Sequence, residues 1–342
     1  MSMPACVNRM IVAIAAVGGS CACRAAEPVL EQLGIHQFQV VGTHNSYHVR
    51  PPSLTATVRA NARAGEWDYT HAPLDIQLDR GVRSFELDVH DTDDGLQVFH
   101  VPVLDEESTC RQFRDALTTL RRWSEAHPQH FPISVLLEVK DDVPRLSKRV
   151  RPFDADSLER LDREVRAAFS DEQLLAPDEV RGSHDTLRAA VTTAGWPRLA
   201  HARGKIFFVL HEDGKLRDLY VGERKSLEGR AIFVRSDPSR SDAAVLVRDN
   251  PRDPDIPRLV QAGYLVRTRA DSGLRPGQDS GRREAALDSG AHIISTDFPP
   301  GEPHADSGYM VSLGDRVEAR VNPVNGPEAQ RGALMHPAHD AQ

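Results

Sequence analysis

Cysteine is scarce in this chain and badly placed for cross-linking. Four occur in 342 residues, and three of them, Cys6, Cys21 and Cys23, fall within the first 23 positions. Cys110 is left alone in the remainder, so no internal disulfide framework braces the fold. With no paired base in view, it reads as a small buried hydrophobe. Stability must come from core size, which favours one large domain. Positive charge is also lacking: 42 basic residues face 50 acidic ones, a formal net charge of −8. That balance argues against a nucleic-acid binder relying on a basic surface, and against strong electrostatic docking on an anionic membrane. Long apolar runs are missing too. The N-terminal stretch MIVAIAAVGG, after Arg9 and before the small residues SCACRAA, falls short of the roughly 20 residues a membrane helix needs. Its length is that of a signal-peptide core. Residues 1–25 are therefore expected to be a leader cleaved near Ala25 or Ala26, with residues 26–342 secreted or periplasmic. Lipoprotein anchoring through Cys21 is the less favoured reading.

What is present is a repeated pattern. Eight short β-rich runs occur: FQVVGTHN, SFELDVHD, LQVFHV, SVLLEVKD, KIFFVLHE, AIFVRSDP, YLVRTRAD and HIISTDFP. Helical patterns lie between several of them, at residues 108–126 behind a Ser108 cap, 154–169, 255–262 and 278–289. Strand–helix alternation with β-branched strands predicts an α/β fold with a parallel sheet, a (β/α)8 TIM-type barrel with some irregular connections. There is no internal repeat or interdomain linker. The tail from about residue 301 to 342, with one candidate strand at YMVSL, is expected to pack on the barrel.

Nearly every run begins apolar and ends in a polar or charged residue, and in such a barrel the active site lies at the C-terminal strand ends. Glu86 and Asp88 are two apart on one strand, so both point to one face. Two unpaired buried carboxylates would repel and cost several kcal/mol to ionise. A divalent cation resolves this. With Glu138 and Asn45 they make four hard oxygen donors, suited to Ca2+ or Mg2+ rather than zinc. The plainer alternative, pairing with Arg267 or Lys140, stays open. His44 and His100 end the first and third runs and suit general acid–base work. His48, His71 and His90 have no such placement. Arg267 and Arg269, again two apart, point to the barrel mouth and suit anion recognition, and Lys140 shares a strand face with Glu138. Asp297 closes the last strand and is read as orienting a neighbour.

The segments GTHNSYH, QLDRGVRSFELDV, DGLQVFH and PISVLLEVKDD resemble, in order and spacing, the catalytic half of calcium-dependent phosphoinositide-specific phospholipases C. LVRTRAD, GAHIISTDFP and ARVNPV are similar to the single-domain secreted bacterial branch, and the resemblance spans residues 34–327. It implies that His44 stabilises the pentacoordinate phosphate and that His100 protonates the leaving diacylglycerol oxygen. Asn45, Glu86, Asp88 and Glu138 would ligate Ca2+. The implied reaction is attack of the inositol 2-hydroxyl on phosphorus, giving a 1,2-cyclic inositol phosphate that water can open. The implied partner is a phospholipid at a membrane surface, with no nucleic acid and no obligate protein partner.

Two departures stand out. Val101 replaces the family's glycine after the second histidine. Leu210, His211 and Glu212 stand where eukaryotic relatives carry lysines for the extra ring phosphates, which points to unphosphorylated phosphatidylinositol or another phosphodiester. No pleckstrin-homology, EF-hand or C2 module is recognisable, so membrane contact falls to the rim, with Trp67, Tyr69 and the VRPPSLTA loop as candidates. Three alternatives stay open. A glycerophosphodiester phosphodiesterase would open with His-Arg-Gly where this chain has His44-Asn45-Ser46. A glycosidase would use Glu86 and Glu138 as acid and base, and a non-enzymatic barrel would bind calcium without turnover.

Overall fold

The computed structural model describes residues 29–55, 66–141, 147–273 and 281–337. The leader assigned to residues 1–25, with Cys6, Cys21 and Cys23, lies outside the described residues. Eight strands make the barrel wall: β1 Phe38–Thr43, β2 Ser84–Thr92, β3 Ile133–Val139, β4 Ile206–Leu210, β5 Ile232–Val234, β6 Val245–Val247, β7 Leu265–Arg269 and β8 Ile293–Thr296. Each pairs in parallel with its neighbours in chain order, and β8 returns to β1 through Val40–Ile293 and Thr43–Thr296. The ring closes between β5 and β6 by a single parallel bridge, Arg235–Val245, with Ser236 donating its N–H to Val245 at 3.0 Å. The chain is thus an α/β barrel of the expected class.

The eight expected strands are not all the eight observed. The run expected as the third wall strand is Gly95–Val98, which folds back antiparallel on β2, pairing Val89 with Val98 and Thr92 with Gly95. Its turn needs Gly95, whose φ of 96° few other residues adopt. The missing wall strand is β6, whose three residues sit in AAVLVRD without turn residues or alternation to mark them. A strand buried on both faces and this short leaves no periodic signal.

Helices cover the outside. The one expected at 154–169 is α3, Ala155–Ala168, with Phe153 just before it and Asp154 as its cap. Asp154 accepts from the Ser157 N–H at 2.9 Å, and the Ser157 hydroxyl accepts from the Asp154 N–H at 2.7 Å. Before it, among the described residues, come α1 Leu74–Asp79 and α2 Phe113–Ala126. The start of α2 is five residues later than expected, because Ser108 is engaged in a bridge to His48 and accepts from the Cys110 N–H. Cys110 is buried, and burial pushes its thiol up to about 12. YMVSL is not a strand. The tail instead pairs Ala319–Val321 antiparallel with β1 and with Leu334–Met335, covering the end of the barrel where the wall strands begin. There Glu318 forms a fully buried ion pair with Arg83 and also accepts from the Phe131 N–H. The opposite end, where the strands finish, is left for chemistry.

Candidate active site

The end of β1 is a turn that only a few side chains tolerate. Asn45 has a φ of 46°, a left-handed conformation in which Asn is enriched. The Ser46 hydroxyl donates to the Thr43 carbonyl at 2.8 Å and accepts from the Glu86 N–H at 2.9 Å, tying this turn to β2. His44 and Asn45 are thereby presented at the mouth, with Asn45 donating from Nδ2 to the Tyr69 hydroxyl at 3.2 Å.

The carboxylates meet as the strand pattern requires. Asp88 is in register with Glu138 on β3, and Glu86 lies two residues before Asp88, so all three share the inner face. Glu86 and Asp88 are buried. Asp88 Oδ2 lies 2.9 Å from Lys140 Nζ, yet neither oxygen makes a well-aligned hydrogen bond. Burial pushes the Asp88 carboxyl up to about 6; Lys140 works against this and Glu138 adds to it. Lys140 also bonds Glu138. Burial acts on Glu86 in the same sense, but the charges of Arg267 and His44 override it and hold that carboxyl below the usual range.

Arg267 does not line the mouth. Its side chain is 2% exposed, donates to Glu86 at 2.6 Å and to the Ser295 hydroxyl at 3.1 Å, and pairs with Asp249. The alternation that puts Arg267 and Arg269 on one face also sets them at different depths, and the deeper one faces Glu86. Arg269 is shallower. It pairs with Asp297 at 3.0 Å and lies 3.4–3.5 Å from the His44 ring.

Both histidines are backed by a buried carboxylate. His44 Nδ1 lies 2.6 Å from Asp297 Oδ1, which leaves Nε2 turned toward Glu86 at 3.6 Å. Burial would raise the Asp297 carboxyl, but His44 and Arg269 hold it low. The orienting part expected of Asp297 matches this contact. His100 Nδ1 lies 2.8 Å from Asp105, whose carboxylate also meets the fully buried His48 Nε2 at 2.9 Å. His100 is carried by the tight turn after the β2 hairpin rather than by a wall strand. Val101 accepts from Leu104 and Asp105 there, and this brings Asp105 back under the ring. His71 bonds Glu302 at 2.6 Å and lies edge-on against Tyr69, while His90 stacks on Phe99 and its Nε2 lies 3.3 Å from the His100 carbonyl.

Sequence reasoning missed Asp105, Asp249 and His211. Asp105 sits in the acidic loop VLDEES, where nothing distinguishes it from a solvated charge. His211 marks a departure from the family's lysines, and its ring joins Glu86 and Glu138. Trp67 and Tyr69 were expected at an exposed rim. Instead Trp67 is 9% exposed and packs edge-on against His100, while Tyr69 stacks on His48.

A (β/α)8 barrel whose mouth gathers three carboxylates, two carboxylate-backed histidines and an arginine has the equipment of a phosphodiester-cleaving enzyme. The fold is similar to that of a Ca2+-dependent phosphatidylinositol-specific phospholipase C from Streptomyces antibioticus, at 20% identity over 77% of this chain and 94% of that one, with a TM-score of 0.56. It is also similar to a calcium-dependent phosphoinositol-specific phospholipase C from a Pseudomonas species, at 17% identity over 83% and 96% of the two chains, TM-score 0.57. No curated protein matches the sequence. The family model for Ca2+-dependent phosphoinositide phospholipase C matches residues 33–95 and 91–323, and the chain belongs to that family. It is a phosphoric diester hydrolase with Ca2+ as its cofactor, and the glycosidase and non-enzymatic alternatives fall away.

Proposed function

We propose that this enzyme cleaves phosphatidylinositol to diacylglycerol and inositol 1,2-cyclic phosphate, which water then opens to inositol phosphate. The observation that carries the reading is the pairing of His44–Asp297 and His100–Asp105 at one mouth, beside the buried carboxylates Glu86, Asp88 and Glu138. That donor set fits calcium: Asp88 offers two buried oxygens without aligned hydrogen bonds, and Glu86, Glu138 and Asn45 add hard oxygens. Those four residues would hold the ion, which supplies charge to the phosphate and lowers the pKa of the inositol 2-hydroxyl.

The chain's own groups then divide the work. A carboxylate of the cluster takes the 2-hydroxyl proton as that oxygen attacks phosphorus. His44, fixed by Asp297, donates from Nε2 to a phosphoryl oxygen, and Arg269 beside it adds positive charge. His100, held by Asp105, protonates the glycerol oxygen as its bond to phosphorus breaks. Lys140 reaches the phosphate from the Glu138 side. Arg267 holds Glu86 in place. The lipid meets the mouth at the turn carrying Val103, which is 58% exposed, while the packed Trp67, Leu54, Val101 and Leu104 support it from beneath. Residues 1–25 act as a cleaved leader, so the enzyme works outside the cytoplasm on a membrane surface.

Turnover of phosphatidylinositol vesicles with calcium, then with excess chelator, tests the reading by following cyclic inositol phosphate. Calcium-dependent product supports it. Turnover of glycerophosphodiesters instead of the inositol lipid would overturn it, as would a folded His44→Ala variant of near-normal rate.

A further inference from the structure

His211 is not among the four residues proposed to hold calcium, yet the barrel delivers it to the same place. It follows directly on β4, its N–H donates to the Leu137 carbonyl at 2.8 Å, and it therefore sits next to Glu138 across the strand pair. Its Nδ1 is shielded from solvent and has no hydrogen-bond partner among the described residues. A buried ring nitrogen without a partner is costly unless something binds it. One donor atom from each of Glu86, Glu138 and His211 lies within 4.8 Å of the others.

Calcium gains little from a nitrogen donor, because it prefers six to eight hard oxygens. Zinc is different. It takes one imidazole nitrogen and two carboxylate oxygens readily, leaving a fourth position for water or a substrate oxygen. Nitrogen donors raise affinity for the later first-row dications more than for calcium. Resting on the calcium site proposed above, we infer that His211 with Glu86 and Glu138 forms a second, overlapping metal site that takes a transition-metal dication of the Zn2+ type in competition with calcium. Occupancy by such an ion engages two of the four calcium ligands, so zinc acts as a competitive inhibitor of calcium binding.

The test is calorimetric titration of the metal-free full chain with Zn2+ alone and with Ca2+ alone, for the wild type, His211→Gln and His211→Leu. Thermal unfolding checks that each variant is folded. Visible absorption of Co2+-loaded protein supplies a readout independent of activity, since a tetrahedral site with a nitrogen donor gives intense bands. The expected result is a fall in Zn2+ affinity of tenfold or more in both variants, loss of the Co2+ bands, and Ca2+ affinity within about threefold of wild type. Unchanged Zn2+ affinity overturns the inference, and so does a parallel fall for both ions. Failure of the calcium site itself is distinguishable: the wild type would then show no Ca2+ binding in the same titration, whatever zinc does.

Discussion

Replacing Asp297 by Asn isolates the charge behind His44. The carboxylate lies 2.6 Å from His44 Nδ1 and 3.0 Å from Arg269, and its side chain is 4% exposed. Two unit charges about 4 Å apart attract by roughly 4 kcal/mol at an effective dielectric of about 20. His44 donates from Nε2 while its Nδ1–H meets Asp297, so it acts as the imidazolium, and losing the attraction that supports this cation falls on kcat. Four kcal/mol is close to a thousand-fold. The amide keeps the shape and its oxygen can still accept from Nδ1, so the substitution removes the charge and leaves the hydrogen bond. KM for the lipid should move only a few-fold. Steady-state turnover on vesicles at saturating calcium, with thermal unfolding as a control for folding, measures this. A kcat within tenfold of wild type, in a preparation where His44→Ala is inactive, would refute the reasoning that Asp297 acts through the His44 charge.

Acid should unfold the protein through its buried histidines. His292 accepts from the Val266 N–H on Nδ1 and donates from Nε2 to the His36 carbonyl, and burial lowers it from 6.5 to about 3. The unfolded chain therefore binds the extra proton first, so stability is full above pH 6.5 and is lost as pH falls toward 3. By pH 4.5 the loss is about 2.7 kcal/mol, and urea titrations of His292→Gln should show a shallower pH dependence across that window. Val103, with a φ of 70° in an exposed turn, is strained by its β-branch. Val103→Gly should raise unfolding stability by about 1 kcal/mol while lowering vesicle binding and vesicle turnover several-fold; a variant both less stable and fully active on vesicles would contradict the placement of this turn at the lipid. Calcium at a hundred times its dissociation constant should add about 2.7 kcal/mol of stability, seen as a melting shift of several degrees that chelator removes. Asp88→Asn should abolish that shift.

The sequence carried much of the site because strand periodicity is local. Glu86 and Asp88 at i and i+2 had to share a face, and the third carboxylate, Glu138, followed from its own apolar run ending at the same level. The capping box at Asp154 and Ser157 was equally local, and α3 begins and ends where its residues say. Val245–Val247 was invisible for the opposite reason: its identity as a strand comes from the bridges to its neighbours and not from its three residues. Gly95–Val98 carried an ordinary strand signal, but the direction in which a strand pairs is not a property of that strand.

By itself, then, the amino-acid sequence determined the class of barrel, the end at which chemistry occurs, and the residue types gathered there, all of which depend on alternation and punctuation along a few residues. Depth and partnership were decided by the tertiary structure. Arg267 and Arg269 look equivalent in LVRTRA, yet the barrel encloses one against Glu86 and leaves the other beside His44. Asp105 and His211 gain their significance from residues 57 and 125 positions away in the chain, His48 and Glu86, with which they converge only when the sheet closes. Such contacts join segments distant along the chain, and no short window of sequence contains both partners.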